Sequence, residues 1–290
     1  VRVDTDPTSS GDHYFLQYDS ELGGWKESPK LGMMYSAFTN LPQVITGIET
    51  GTPTVTSMVL KEREVGDLET NPEPSFVDKT INDIFIMNNR LGFLSGNNVI
   101  MSKIDEFDMF YRSTVATSVS SDRVDLTAAL PSSRYSDLLF SVPFETSIML
   151  FGDVAQYILT TNTGFDITKT SLQTSTEYES SKECAPINLG STVYFPITRG
   201  TTSALFDLSR KDGIGLTAEE ATHHIPNYIK GTVNEMLHST VENILFVKTQ
   251  ESPRTLYIQN RFIRQTLLEQ NAWHKWEFDF DIVGINILGT

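Results

Sequence analysis

Three acids crowd one short stretch of this chain: Asp105, Glu106 and Asp108 in Ile104–Arg112 (IDEFDMFYR). Paired carboxylates are the groups that cleave glycosidic bonds, one as acid and the other as base or nucleophile. That chemistry needs two carboxyls on opposite sides of a bond, at a defined separation in a cleft. Consecutive acids on one loop do not supply it, so Asp105, Glu106 and Asp108, with Asp153 further on, form a poor catalytic set. His223 and His224 are adjacent, and on a helix their side chains diverge by about 100°, so they cannot share a metal as an i,i+4 pair does. They read as surface or interface residues. Cys184, the only cysteine, has no His nearby and no helix start to lower its pKa, and reads as a structural thiol. Trp273, Trp276 and Phe278 offer large apolar surfaces beside polar groups. A stacking platform for sugars or bases is one use of them; a wedge between sheets is the preferred one. No Walker A, GxSxG, GxGxxG or CxxC pattern occurs. No catalytic, cofactor-binding or metal residue is therefore assigned, and no cofactor is expected.

Bulk properties narrow the class further. The 290 residues carry a formal net charge of −15, with 22 Lys and Arg against 37 Asp and Glu. A sequence-specific nucleic-acid binder normally presents a basic face, and no Lys/Arg-rich run exists here. Acidity repels polyanions, which also suits a conduit through which DNA must slide without being held. A single cysteine excludes an internal disulfide and points to folding in a reducing compartment. No run approaches eighteen apolar residues, so no helical membrane span is expected. The chain opens on Val1 and reads as a fragment of a longer protein.

The elements that must position these residues are strands. Pro74–Ser102 contains three short apolar runs, Ile84–Met87, Leu91–Leu94 and Val99–Met101, separated by turn-forming residues. They predict an antiparallel meander, with Ser95–Asn98 as one reversal. Ile84–Met87 is uninterrupted, the pattern of a strand buried on both faces. Ile84-Phe85-Ile86 recurs as Leu138-Leu139-Phe140, Val193-Tyr194-Phe195 and Ile244-Leu245-Phe246, at spacings of 54, 55 and 51 residues. Each copy follows a polar or turn-forming pair and precedes another apolar segment. Repeats near 50 residues, each a small antiparallel sheet, are the mark of a β-propeller, whose blades stack because one sheet cannot bury both faces alone.

The expected fold is all-β: a propeller-like domain of antiparallel blades, each of roughly 50–55 residues, preferred over an ordinary β-sandwich whose strands happen to be evenly spaced. Residues 1–70 supply a hairpin (His13–Asp19 with Gly24–Glu27) and an irregular segment that together form a first blade. Residues 71–290 supply four more. One short helix is expected near 217–225, because Thr217-Ala218-Glu219-Glu220 is a capping-box pattern and Pro226 would end it.

Several of these segments carry a resemblance. Pro74-Ser75-Phe76-Val77, Lys79–Phe85, Asn89–Gly96 and Asn98–Ser102 resemble the tail tubular protein B family, the nozzle proteins of short-tailed bacteriophages. So do Ser113–Ala116, Ser175–Tyr178, Asn188–Gly190, Ala221–Ile229 and Trp273–Phe278. Recognisable segments span residues 71–280, with a looser likeness in Val1–Glu27. The resemblance implies a structural virion protein of the phage tail, assembled in the host cytoplasm. It implies a homo-hexameric ring below the adaptor ring (tail tubular protein A), a contact with the tail fibre, and passage of genomic DNA without sequence-specific binding. A polysaccharide-acting hydrolase or carbohydrate-binding propeller in the tail is the alternative, and no residue here matches such a site.

Overall fold

A computed structural model describes residues 59–130, 135–161, 170–211, 215–239, 241–264 and 267–287, together with five earlier backbone strands. Strands β1 (Arg2–Asp4), β2 (His13–Asp19) and β3 (Gly24–Ser28) form an antiparallel sheet, and β4 (Gln43–Thr46) pairs with β5 (Thr54–Ser57). The expected hairpin is present, with Asp19 opposite Gly24. Its turn at 20–23, with residues 1, 5–12, 29–42, 47–53 and 58 of the proposed first blade, lies outside the described residues.

Four larger antiparallel sheets follow. The first is β6 (Asp83–Met87), β7 (Arg90–Ser95), β8 (Asn98–Met101) and β9 (Val124–Thr127), in chain order. The second is β10 (Leu138–Phe144), β11 (Ser147–Gly152), β12 (Gln156–Thr161) and β13 (Thr170–Thr176). The third is β14 (Ile187–Asn188), β15 (Thr192–Arg199), β16 (Thr202–Lys211) and β17 (Gly215–Glu220), with β18 (Ile229–Lys230) also on β16. The fourth is β19 (Val233–Ser239), β20 (Ile244–Thr249), β21 (Thr255–Arg264) and β22 (Leu267–Glu277). The chain divides into two compact units, Val1–Leu138 with Thr160–Leu172, and Leu139–Leu159 with Gln173–Thr290.

In the first unit the meander is set by its turns. Asn88 and Asn89, at φ 53° and 58°, make the two-residue loop between Met87 and Arg90. Positive φ at both positions is the hairpin geometry that matches strand twist, and Asn tolerates it. Gly96, at φ 54°, opens the next two-residue loop. A T-shaped and stacked aromatic group covers one face: Phe93 lies 5.1 Å from Phe110 with rings 15° apart, and Phe76 meets both edge-on.

Ile84–Met87 departs from expectation. Only Phe85 and Met87 are buried; Ile84 and Ile86 are 46% and 69% exposed. β6 is the first strand of its sheet, and the side chains of Ile84 and Ile86 alternate with the buried Phe85 and Met87 and point to its exposed side. On its buried side Phe85 lies opposite Gly92, and a Cβ at Gly92 would come within 2.3 Å of the Phe85 ring. The ring fills the space a side chain would need. Gly92→Ala is expected to cost about 1–3 kcal/mol by forcing Phe85 off its site, measurable by urea unfolding. Phe85→Ala in the same chain should relieve that clash, making the double variant less unstable than the sum of the singles.

The second unit shows how consecutive apolar residues come to be buried. In β15, Val193 and Phe195 face one way, into a cluster with Val142, Phe144, Met149 and Phe151 of the second sheet. Tyr194, between them, faces the other way, into a cluster with Leu245, Val247 and Tyr257 of the fourth sheet. The third sheet is thus covered on both faces, which is why β15 lacks polar alternation.

The repeat locates one strand in each sheet but not the same strand. Ile84 and Leu138 sit in first strands, Val193 and Ile244 in second strands. The short β14, and β19 ahead of β20, are strands that the repeat overlooks.

The helix expected at 217–225 is absent. Thr217–Glu220 is strand, with Leu208 opposite Ala218 and Phe206 opposite Glu220. Leu216 and Ala218 pack against the cluster around Val193 and Phe195. Four helical residues offer few internal hydrogen bonds, whereas the β16 ladder and the apolar cluster satisfy the same backbone at once. The capping pattern was outweighed by tertiary pairing. No helix occurs among the described residues.

Candidate functional site

The acidic stretch folds into a tight loop that neutralises itself. Asp105, at φ 61°, accepts a bond from Asn89 Nδ2 at 2.8 Å. Glu106 is gripped by Lys103 at 2.7 Å and Lys61 at 3.0 Å, and Lys61 also lies 3.4 Å from Asp108. The bonds from Lys103 and then Lys61 pull the Glu106 pKa below its ordinary value. A general acid needs the opposite shift. Asp153, in the second unit, pairs loosely with Lys182 at 3.5 Å. The four carboxylates fit the role of loop anchors.

Trp273 and Trp276 part company because residues three apart on a strand point to opposite faces. Trp273 packs with the cluster around Tyr194 and Tyr257, between the third and fourth sheets. Trp276 is 50% exposed, with Phe246 and His274 each 6.3 Å away. The wedge reading holds for Trp273, and no two-indole platform forms. His223 and His224 are exposed in the turn after β17. No group of three metal-ligating side chains occurs among the described residues.

Cys184 is buried, with Sγ 3.5 Å from the Ala185 carbonyl. Burial, reinforced by the charge of Glu235, pushes its thiol up to about 12. Reactivity requires the thiolate. Iodoacetamide at pH 8 should leave Cys184 unlabelled in the native chain and label it fully in urea, as read by mass spectrometry; rapid native labelling would contradict the burial.

Sequence reasoning missed the arginine that ties the first unit together. Arg90 is buried, and its Nη1 donates to the carbonyls of Ser102 at 2.6 Å and of Asp122, while Nη2 donates to Ser120 at 2.7 Å. Burial lowers its pKa, and the nearby Asp122 opposes that. The Asp122 carboxylate accepts from the backbone of Ser113 at 2.8 Å and Val119 at 3.0 Å. One side chain thus fixes the loop from Ser102 to Asp122 onto the hairpin. The only signal was a lone arginine between two apolar runs.

A second polar group lies between the third and fourth sheets. Arg261 sits over the Tyr194 ring at 5.4 Å, and Gln259 donates to Asn271 at 2.7 Å. Burial raises the pKa of Asp207, and the charge of Glu219 adds to the rise. Burial and Arg261 both lower that of His238.

None of these groups forms an open cleft with opposed reactive side chains; each is a clamp or seam. Comparison with known proteins gives the same emphasis. A family model described as bacteriophage nozzle protein matches residues 1–290. The chain belongs to the bacteriophage nozzle protein family. A curated relative, tail tubular protein gp12 of Escherichia phage T7, is 29% identical over 283 residues, covering 96% of this chain and 35% of that protein. This nozzle-family chain therefore spans about a third of the relative's length. Among solved structures, a putative 6-phosphogluconolactonase from Bacteroides fragilis aligns with a TM-score of 0.47 and 9% identity, covering 93% of this chain and 78% of that one. So loose a likeness says nothing of activity in the nozzle-family chain.

Proposed function

We propose that this chain is a structural part of a phage tail, contributing to the wall of the nozzle through which DNA leaves the particle. The family match over all 290 residues carries the reading. The relative's name, tail tubular protein, supports it. A net charge of −15 suits a wall that must release phosphates, and the lysine-bound Glu106 and Asp108 suit a scaffold better than a hydrolase.

In this reading the protein assembles with copies of itself into a hexameric ring, docks on the tail adaptor above and supports the tail fibre. The sheets act as blades of one propeller-like body, with residues 1–70 as the first blade and 71–290 as four more. Negative-stain imaging of the full-length protein should show rings with a central hole. Particles that remain monomeric at micromolar concentration, or clear turnover of capsular polysaccharide by the purified chain, would overturn the proposal.

A further inference from the structure

After β22 the chain turns back across the fourth sheet. The Phe278 N–H donates to the Arg254 carbonyl at 2.9 Å, and the Ile282 N–H to the Pro253 carbonyl at 2.8 Å. Lys248 Nζ then donates to the Val283 carbonyl at 3.2 Å, and the Ile285 N–H donates to Glu235 Oε1 at 3.1 Å. Arg254 Nε also meets Asp281 Oδ1 at 2.8 Å. Residues 278–287 therefore pass from the start of β21 to β20 and on to β19. They retrace one row of strand partners: Glu235 opposite Lys248, Lys248 opposite Leu256, and Leu256 opposite Trp276.

The ion pair of that row forms the grip. Lys248 is buried and lies 3.4 Å from Glu235 Oε2, so the carboxylate holds the ammonium with one oxygen and the Ile285 N–H with the other. The Val283 carbonyl gives the ammonium a second acceptor. A carbonyl and an N–H two residues apart point to the same side of an extended backbone, and the pair takes one of each. The rest of the segment is loosely held. None of residues 278–287 is buried: Phe278, Ile282 and Ile285 are half-buried, and Phe280 and Val283 are exposed. The Arg254–Asp281 pair is exposed on both sides and contributes little. Beside it, β21 is laddered to β22 from Thr255 to Arg264.

We infer that residues 278–287 form a releasable strap, gripped by the Glu235–Lys248 clip and opening as a unit while the fourth sheet stays paired. Segments with few buried contacts and no ladder open at lower free energy than the sheet they lie on. The clip fixes where the strap crosses, and opening frees Lys248 and Glu235 from the backbone they hold.

Native-state hydrogen exchange of the full chain tests this. In wild type the Phe278, Ile282 and Ile285 amides should exchange at similar protection, roughly 100-fold faster than the laddered amides of β20 and β21. Lys248→Met keeps the apolar stem and removes the donor to Val283. It should speed exchange at Ile282 and Ile285 about tenfold, the size of one charge-assisted hydrogen bond, and leave β20 and β21 within about twofold. Glu235→Gln, which keeps the acceptor and loses the charge, should act in the same direction by a smaller factor. Arg254→Gln should change strap exchange less than about twofold. Strap amides that exchange in wild type only as slowly as the sheet would overturn the strap, whatever the variants do. Variants that speed the sheet and the strap equally, or an effect of Arg254→Gln larger than that of Lys248→Met, would overturn the clip.

Discussion

Phe195→Ala is expected to destabilise the second unit by about 3–5 kcal/mol, the range for a fully buried aromatic truncated in a core that cannot collapse around the gap. Phe195 is wholly buried, 5.3 Å from Phe151 of the second sheet and 5.8 Å from Phe206 of its own. It therefore joins two layers, and a cavity there weakens both. Neither sheet can easily shift to fill the space, because the third sheet is held from its other face by Tyr194, Leu205 and their partners. Chemical denaturation followed by tryptophan fluorescence would measure the effect, Trp273 lying in the adjoining seam. A loss under 1 kcal/mol would contradict the stacking of the second and third sheets, since an exposed or loosely packed site costs little.

Arg90→Ala should be comparably severe in the first unit, also about 3–5 kcal/mol. The substitution leaves the carbonyls of Ser102, Ser120 and Asp122 without their donor, and orphaned buried acceptors carry most of the cost. It also removes the positive charge that interacts with the buried Asp122 carboxylate. Arg90→Lys should recover little of the loss, because an ammonium cannot span three carbonyls with the geometry of a planar fork. Hydrogen exchange should then report early opening of residues 102–122 while the β7–β8 pairing stays protected. Uniform loss of protection across the unit would show that the clamp is spread over other side chains.

Two of the buried arginines of the first unit make a useful contrast. Arg90 and Arg63 are both buried, yet Arg90 donates to three carbonyls and Arg63 mainly meets a ring. Removing the first should unfold structure; removing the second should not. Burial by itself does not say which role a charge has. The partners do.

Much of the architecture was legible from residue order. Short apolar runs between turn-forming residues gave the meander of β6 to β8, and the spacing of Ile84, Leu138, Val193 and Ile244 marked one strand in each larger sheet. Asn88-Asn89 and Gly96 fixed the hairpins locally, because Asn and Gly adopt positive φ at low cost. The likeness to nozzle proteins was legible too, being carried by segments along the chain. What residue order could not supply was context: which apolar run stands at an edge, which polar pattern is overruled, which cation finds its acceptors.

By itself the sequence determined the local conformations, namely strand, turn and the period with which they repeat, because backbone propensity and side-chain alternation act over a few residues. Only the tertiary structure decided that Thr217–Glu220 is strand and not helix, that Ile84 and Ile86 lie open while Val193, Tyr194 and Phe195 are all enclosed, and that Trp273 and Trp276 serve different faces. Those outcomes depend on which layer lies against which. Contacts with neighbouring strands and layers set them, some a dozen positions away in the chain and some more than fifty, and no local pattern records such contacts.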